Sequence, residues 1–124
     1  MKDPILVSNS FPFSLIRRRV TAEPREIEEL RETLRTRPWA SFWGHTNTLE
    51  AAGAMAGVDL SPKTARPAIS LNEEGLPTLD GMIFRECWLL SPYYVPGFRP
   101  SPGEEVTAKN ILGWQVLRME WEQR

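Results

Sequence analysis

Apolar residues fall along this chain in short runs that alternate between strand-like and helix-like spacing. Ile5-Leu6-Val7 is an apolar run closed by Ser8-Asn9-Ser10, the pattern of a strand ending in a polar loop. Phe11-Pro12-Phe13-Ser14-Leu15-Ile16 follows; Pro12 breaks regularity there, with a short helix able to begin after it. A longer helix is predicted from near Glu23, with Pro24 at its first position and Glu23, Glu26, Glu28 and Glu29 in its N-terminal half. Ile27, Leu30 and Leu34 recur at three- and four-residue spacing, which makes one apolar stripe on a charged helix. Arg35 and Arg37 suit its far end, and Pro38 stops it.

Trp39-Ala40-Ser41-Phe42-Trp43 reads as a short strand or extended connection ending at Gly44. A second helix is predicted roughly from Thr48 to Met55, with Asn47 as N-cap because Asn47 and Glu50 have capping-box spacing. Its alanines and Gly53 make it thin enough to approach a sheet closely, and Gly57 is its natural end. Pro67 to Leu71 reads as a strand, followed by a turn over Asn72 to Gly75. Gly81 to Leu90 is the longest strand candidate, and Gly113 to Trp121 the last. Between them lies a loop over residues 91–105, rich in Pro and Gly, whose length predicts a lid over a ligand. This order predicts an α/β fold: a single small domain with a mixed sheet of about five strands and flanking helices.

Composition narrows the function classes. A chain of 124 residues is the size of one domain, so residues 1–124 are expected to fold together. Fifteen Lys and Arg against 16 Asp and Glu give a net charge of −1, which excludes a sequence-blind coat for nucleic acid and argues against a DNA-duplex partner. A compact phosphate ligand stays compatible, because a local cluster can be basic while the total is near zero. Twelve of the 15 cations are Arg, the side chain suited to bidentate phosphate contacts, although such a bias also arises from coding or heat adaptation.

One cysteine, Cys87, excludes a disulfide within the chain and points to a reducing compartment. With one histidine, His45, it also excludes the common structural zinc patterns, and no acidic cluster has metal-ligand spacing. The N-terminus does not read as a signal peptide, and no apolar run approaches the roughly 20 residues that span a bilayer. A cytoplasmic protein without a membrane partner is expected.

Any histidine chemistry must use His45, in Trp43-Gly44-His45-Thr46-Asn47-Thr48, between a strand and a helix start. A helix start offers unpaired N–H groups and partial positive charge, together an anion site. An imidazole beside a bound phosphate is suited to general-acid work, its unperturbed pKa being about 6.5. A histidine there can equally be satisfied by a carbonyl or serve as a weak cap. Ser8-Asn9-Ser10 supplies donors and acceptors where ligands bind open α/β sheets, though such residues are also ordinary turn formers. Arg66, just before a strand, can reach a phosphate or stand as a solvated loop charge. Trp43 offers a surface for base stacking, or core material like the other tryptophans. Walker A, G-x-G-x-x-G and G-x-S-x-G motifs are absent, and Cys87 within a strand reads as a buried hydrophobe.

Three segments occur in a telling order: Leu6-Val7-Ser8-Asn9-Ser10-Phe11, then Gly44-His45-Thr46-Asn47-Thr48 before an apolar helix, then Ala65-Arg66-Pro67-Ala68-Ile69-Ser70-Leu71 opening a strand. Together they resemble the small viral and CRISPR-associated ring nucleases, the type III anti-CRISPR family, which shows N-A-F-S, then G-H-x-x-T-A, then N-R and a strand. The resemblance implies a homodimer that binds cyclic tetra-adenylate across its twofold axis and cuts the ring without metal or cofactor. In that family a ribose 2′-hydroxyl attacks the adjacent phosphate, a 2′,3′-cyclic phosphate forms, and the histidine protonates the departing 5′-oxygen.

By this resemblance His45 is the general acid, Asn9 holds ribose or phosphate, and Asn47 and Arg66 lie in matching segments. The family's functional Ser falls on Pro12, so Ser10 or Ser14 would have to substitute. Its later R-x-x-E-G segment matches Arg99-Pro100-Ser101-Pro102-Gly103, with Pro102 at the acidic position, Glu104 or Glu105 as possible replacements, and Arg85 a rival for the arginine. These departures keep two other readings in play: a non-catalytic sponge for cyclic nucleotides and a protein–protein adaptor.

Overall fold

The structure is a computed structural model, and it describes residues 3–43, 46–62, 68–101, 104 and 106–122. Strand β1 (Ile5–Ser8) lies near the middle of a five-stranded sheet, parallel to both β3 (Trp39–Phe42) and β7 (Glu86–Tyr94). Beyond β7 come β8 (Ile111–Trp121) and then β2 (Val20–Arg25), each antiparallel to its neighbour, so the order is β2-β8-β7-β1-β3. A smaller antiparallel sheet holds β4 (Ser70–Leu71), β5 (Pro77–Leu79) and β6 (Met82–Ile83). Helices α1 (Ile27–Thr36) and α2 (Leu49–Ala56) complete the α/β fold. The mixed five-stranded sheet with helices matches the architecture read from the sequence.

Residues of alternating direction on the strands build two cores. Ile5 and Val7 of β1, with Trp88 and Leu90 of β7, pack against Leu30 and Leu34 of α1 and Ala52 and Ala56 of α2. Leu6 and Cys87 point to the opposite face, where Phe11, Leu76, Leu79, Phe84 and Trp121 cover them. The helices therefore lie on one face of the sheet, and the small sheet and the segment after β1 on the other. This explains why Ile5-Leu6-Val7 of β1 and Cys87 to Leu90 of β7 are unbroken apolar runs: both of their faces are buried or nearly so.

Four sequence expectations require correction. Glu23 and Pro24 do not start a helix; they lie in β2, and α1 begins only after Glu26, its N-cap. Proline is tolerated in β2 because this is an edge strand, with a neighbour on one side only. Second, the Gly81–Leu90 segment is two elements. Asp80 and Gly81 both have positive φ (52° and 77°) and form the two-residue turn between β5 and β6, for which Asp-Gly is the strongest short-range signal.

Third, residues 91–94 belong to β7, so the loop predicted over 91–105 starts four residues later. Pro92 is accommodated opposite Trp114, where the β7–β8 ribbon runs on past the end of β1. Fourth, of the described residues in the strand expected to end at Leu71, only Ser70 and Leu71 are extended into a ladder.

Helix α2 behaves as its composition suggests. Ala52 and Ala56 are buried against the sheet, and Gly57 takes the left-handed conformation that ends the helix. Gly53 is required by the turn that follows: a Cβ there would lie 2.8 Å from the Val58 carbonyl oxygen. Gly53→Ala is therefore expected to destabilise the protein by about 1–3 kcal/mol, the usual cost of overpacking, read as a lowered midpoint in urea unfolding. A midpoint at or above that of the parent would show that this turn yields freely.

Candidate functional site

The parallel trio β3-β1-β7 runs toward one edge of the sheet, where β1 and β3 end while β7 continues five residues further to Tyr94. Ser8, Phe42 and Leu89 are in register there, so the segments beginning at Asn9 and Trp43 leave the sheet side by side. This is the edge at which open α/β sheets bind ligands, because their connecting loops diverge there.

The turn after β1 is shaped by Ser8, which is fully buried. Its hydroxyl donates to the Ser10 carbonyl and accepts the Ser10 N–H at 3.1 Å, curling the chain so that Asn9 stands at the bend. Asn9 is half-buried and Ser10 exposed. Ser14 is exposed on a short 3-10 helix, Phe13–Leu15, five residues further along. That segment belongs to the crossover that packs Phe11, Leu15 and Ile16 onto the second core and returns the chain to the start of β2.

Asn47 sits in a 3-10 turn, Thr46–Thr48, that leads into α2. It is not the N-cap expected from the capping-box spacing. The tight turn displaces the helix start by one residue, so Thr48 is the N-cap, and its side chain makes no capping hydrogen bond. The Asn47 carbonyl instead accepts the Val106 N–H at 2.9 Å, which joins the loop after β7 to this same edge. Arg99 is exposed on that loop. Within the loop Phe98 stacks edge-on against Tyr94 at 5.4 Å, and the Glu104 N–H closes a turn onto Ser101. His45 and Arg66 lie outside the described residues, as do Pro102, Gly103 and Glu105.

Arg85 is not brought to this edge. It immediately precedes β7, so roughly 13 Å of strand, at about 3.3 Å per residue, separates it from Leu89, the partner of Ser8. Its guanidinium pairs with Glu74 at 3.6 Å, and its carbonyl accepts the Trp121 N–H. Arg85→Ala is accordingly expected to leave nucleotide affinity within about twofold of the parent, because exposed pairs of this kind contribute little at a distance. A tenfold loss in a titration with labelled ligand would return Arg85 to the site.

Trp43 is core material: it is only 5% exposed, and its ring joins the cluster beneath α2, which leaves no face on which a base can stack. Its indole N–H and the Ser41 hydroxyl find no hydrogen-bond partner among the described residues. Cys87 is fully buried, and burial pushes its thiol far above the ordinary range, consistent with a small hydrophobe rather than a nucleophile. A groove of about 640 Å³ runs along α2 past Leu49, Gly53 and Val58, and none of the predicted site residues described here lines it.

One polar cluster escaped the sequence reading. Glu86, the first residue of β7, is 6% exposed and accepts hydrogen bonds from Arg37, Trp88 and Arg118 at 2.8 to 3.2 Å. Burial raises the pKa of its carboxyl, but the hydrogen bonds from Arg118, Trp88 and Arg37 outweigh that and hold it below the usual carboxylate value. The available signal was a lone acid, next to Arg85, in a mostly apolar strand run. Among the described residues, no group of three or more His, Cys, Asp or Glu is placed to hold a metal ion.

As a whole the fold is similar to that of B116 of Sulfolobus turreted icosahedral virus, with a TM-score of 0.60 over 95% of this chain and 98% of that one. At 16% identity the likeness is one of fold. No family model and no curated protein matches the sequence. No helix among the described residues is long and apolar enough to cross a membrane.

Proposed function

We propose that this protein is a metal-independent ring nuclease that binds cyclic oligoadenylate, with cyclic tetra-adenylate as the preferred ring, and thereby switches off type III CRISPR signalling. The observation that carries this reading is the common edge: the Asn9–Ser10 turn leaves β1 where β3 also ends, and the loop after β7, which bears Arg99, returns to the Asn47 turn through Val106. His45 stands two residues before Asn47 in the chain. That a protein of similar fold comes from a virus fits a viral origin for this chain.

The chemistry asks little of the protein beyond placement. The ribose 2′-hydroxyl gives its proton to water and attacks the adjacent 3′-phosphorus; the O2′–P bond forms as the P–O5′ bond breaks, and the departing O5′ takes its proton from His45. Asn9 and Asn47 orient the sugar–phosphate, and Arg99 offers charge to the phosphate oxygens. A twofold homodimer would present a symmetric ring with two such edges.

A sponge that sequesters the ring uncut is favoured by one observation. Ser14, a possible replacement for the family serine lost at Pro12, lies on the crossover rather than at the turn that bears Asn9. Incubation with labelled cyclic tri-, tetra- and hexa-adenylate, with and without chelator, separates the two. Linear product formed equally well in chelator supports the nuclease, whereas tight binding of a ring that stays intact supports the sponge. Failure to bind any of the rings would leave the adaptor reading.

A further inference from the structure

Val106 is out of character for its loop. The described residues around it, Ser101, Glu104, Thr107, Ala108 and Lys109, are exposed, yet Val106 is 2% exposed. It belongs to neither of the two main cores, and its N–H meets the Asn47 carbonyl at 2.9 Å. That bond spans 59 positions of sequence and ends on the turn that directly follows His45.

The turn leads into α2 through Thr48, which is buried, and Trp43, three residues before the turn in the chain, is buried in the first core. Val106 supplies a footing from a separate element. A backbone N–H bonded in a water-poor site is costly to leave unpaired, so this footing resists displacement.

Accepting the nuclease reading, on which this step rests, we propose that Val106 is a positioning residue for ring cleavage: its N–H and its buried side chain fix the Asn47 turn against the loop that carries Arg99. The contact acts through Asn47 and touches no reacting atom. It makes the loop after β7 and the turn after β3 a single unit, so that groups from both meet the ring in one geometry.

Two measurements test this. Val106→Pro removes the N–H, while Val106→Ala keeps it and shrinks the side chain. Well below each variant's unfolding midpoint, with protein in saturating excess over cyclic tetra-adenylate, Val106→Pro is expected to slow single-turnover cleavage at least about tenfold and Val106→Ala at most about threefold. A purely structural role would lower the midpoint and leave the rate of the folded protein unchanged, which would overturn the proposal. In the unaltered protein, cyclic tetra-adenylate is expected to slow hydrogen exchange at the Val106 amide at least about tenfold. Unchanged exchange in a protein that does cut the ring would overturn the positioning role alone. A parent that neither binds nor cuts the ring would overturn the functional reading as well.

Discussion

His45→Ala is expected to slow single-turnover cleavage of cyclic tetra-adenylate by about 10²–10⁴, while binding of the ring survives. The expectation follows from what the reaction leaves for the protein to do. The nucleophile belongs to the RNA, so no side chain need attack phosphorus. The leaving 5′-oxygen, however, departs poorly as an alkoxide and needs a proton at the moment the bond breaks. His45 is the only imidazole in the chain, and its neighbours in sequence lead straight into the Asn47 turn at the carboxyl edge. In the proposed site Asn9, Asn47 and Arg99 would hold the ring independently of that proton, which is why affinity should change little. Single-turnover rates with excess protein, paired with a filter-binding titration, read the two effects separately. A variant that cuts as fast as its parent would remove His45 from the chemistry, whereas loss of binding in step with rate would make it a ligand-holding residue.

Glu86→Gln is expected to destabilise the fold by about 3–5 kcal/mol, the usual cost of removing one partner from a buried ion pair. The carboxylate is the hub for two guanidiniums and an indole N–H: Arg37 reaches it from the end of α1, Arg118 from β8, and Trp88 from its own strand. Arg118 also pairs with Glu23 of β2, so the cluster ties the edge strand, the sheet and α1 together. A neutral amide cannot balance two half-buried cations. The same geometry sets the pH dependence. The folded pKa of Glu86 is depressed, so its stabilisation is fully present above the unfolded carboxyl value and is lost as pH falls through the folded one. Urea unfolding of the parent should therefore weaken toward acid more steeply than that of Glu86→Gln. Parallel pH curves would show that this carboxylate is not the titrating group.

Much of the fold was legible in the sequence because alternation and helical periodicity report burial directly. Leu30 and Leu34 form the buried stripe that their spacing announces, and β1 and β8 occupy the runs predicted for them. What was not legible depended on partners far along the chain. The segment Glu23-Pro24 has the composition of a helix start, but its pairing with Leu117 and Arg118 of β8 decides for strand. Likewise, β7 runs through Pro92 because β8 continues beside it, which no local rule weighs.

The candidate site divides in the same way. That Asn9 and Ser10 close a strand was readable, since Ser and Asn turns follow from local hydrogen bonding. That Arg85 belongs to the opposite end of the sheet was not, because its sequence position is compatible with either edge until the β1–β7 register is known. Val106 carried no local signal at all. An aliphatic residue in a Pro- and Gly-rich loop looks incidental until its N–H is found on Asn47.

The chemistry of the freshly made RNA end is the most direct test of how this protein works. Mass spectrometry of cyclic tetra-adenylate treated with the protein in excess chelator should give linear fragments that end in a 2′,3′-cyclic phosphate. Fragments ending instead in a 3′-hydroxyl and 5′-phosphate, or an uncut ring after many hours with the protein in excess, would contradict the account.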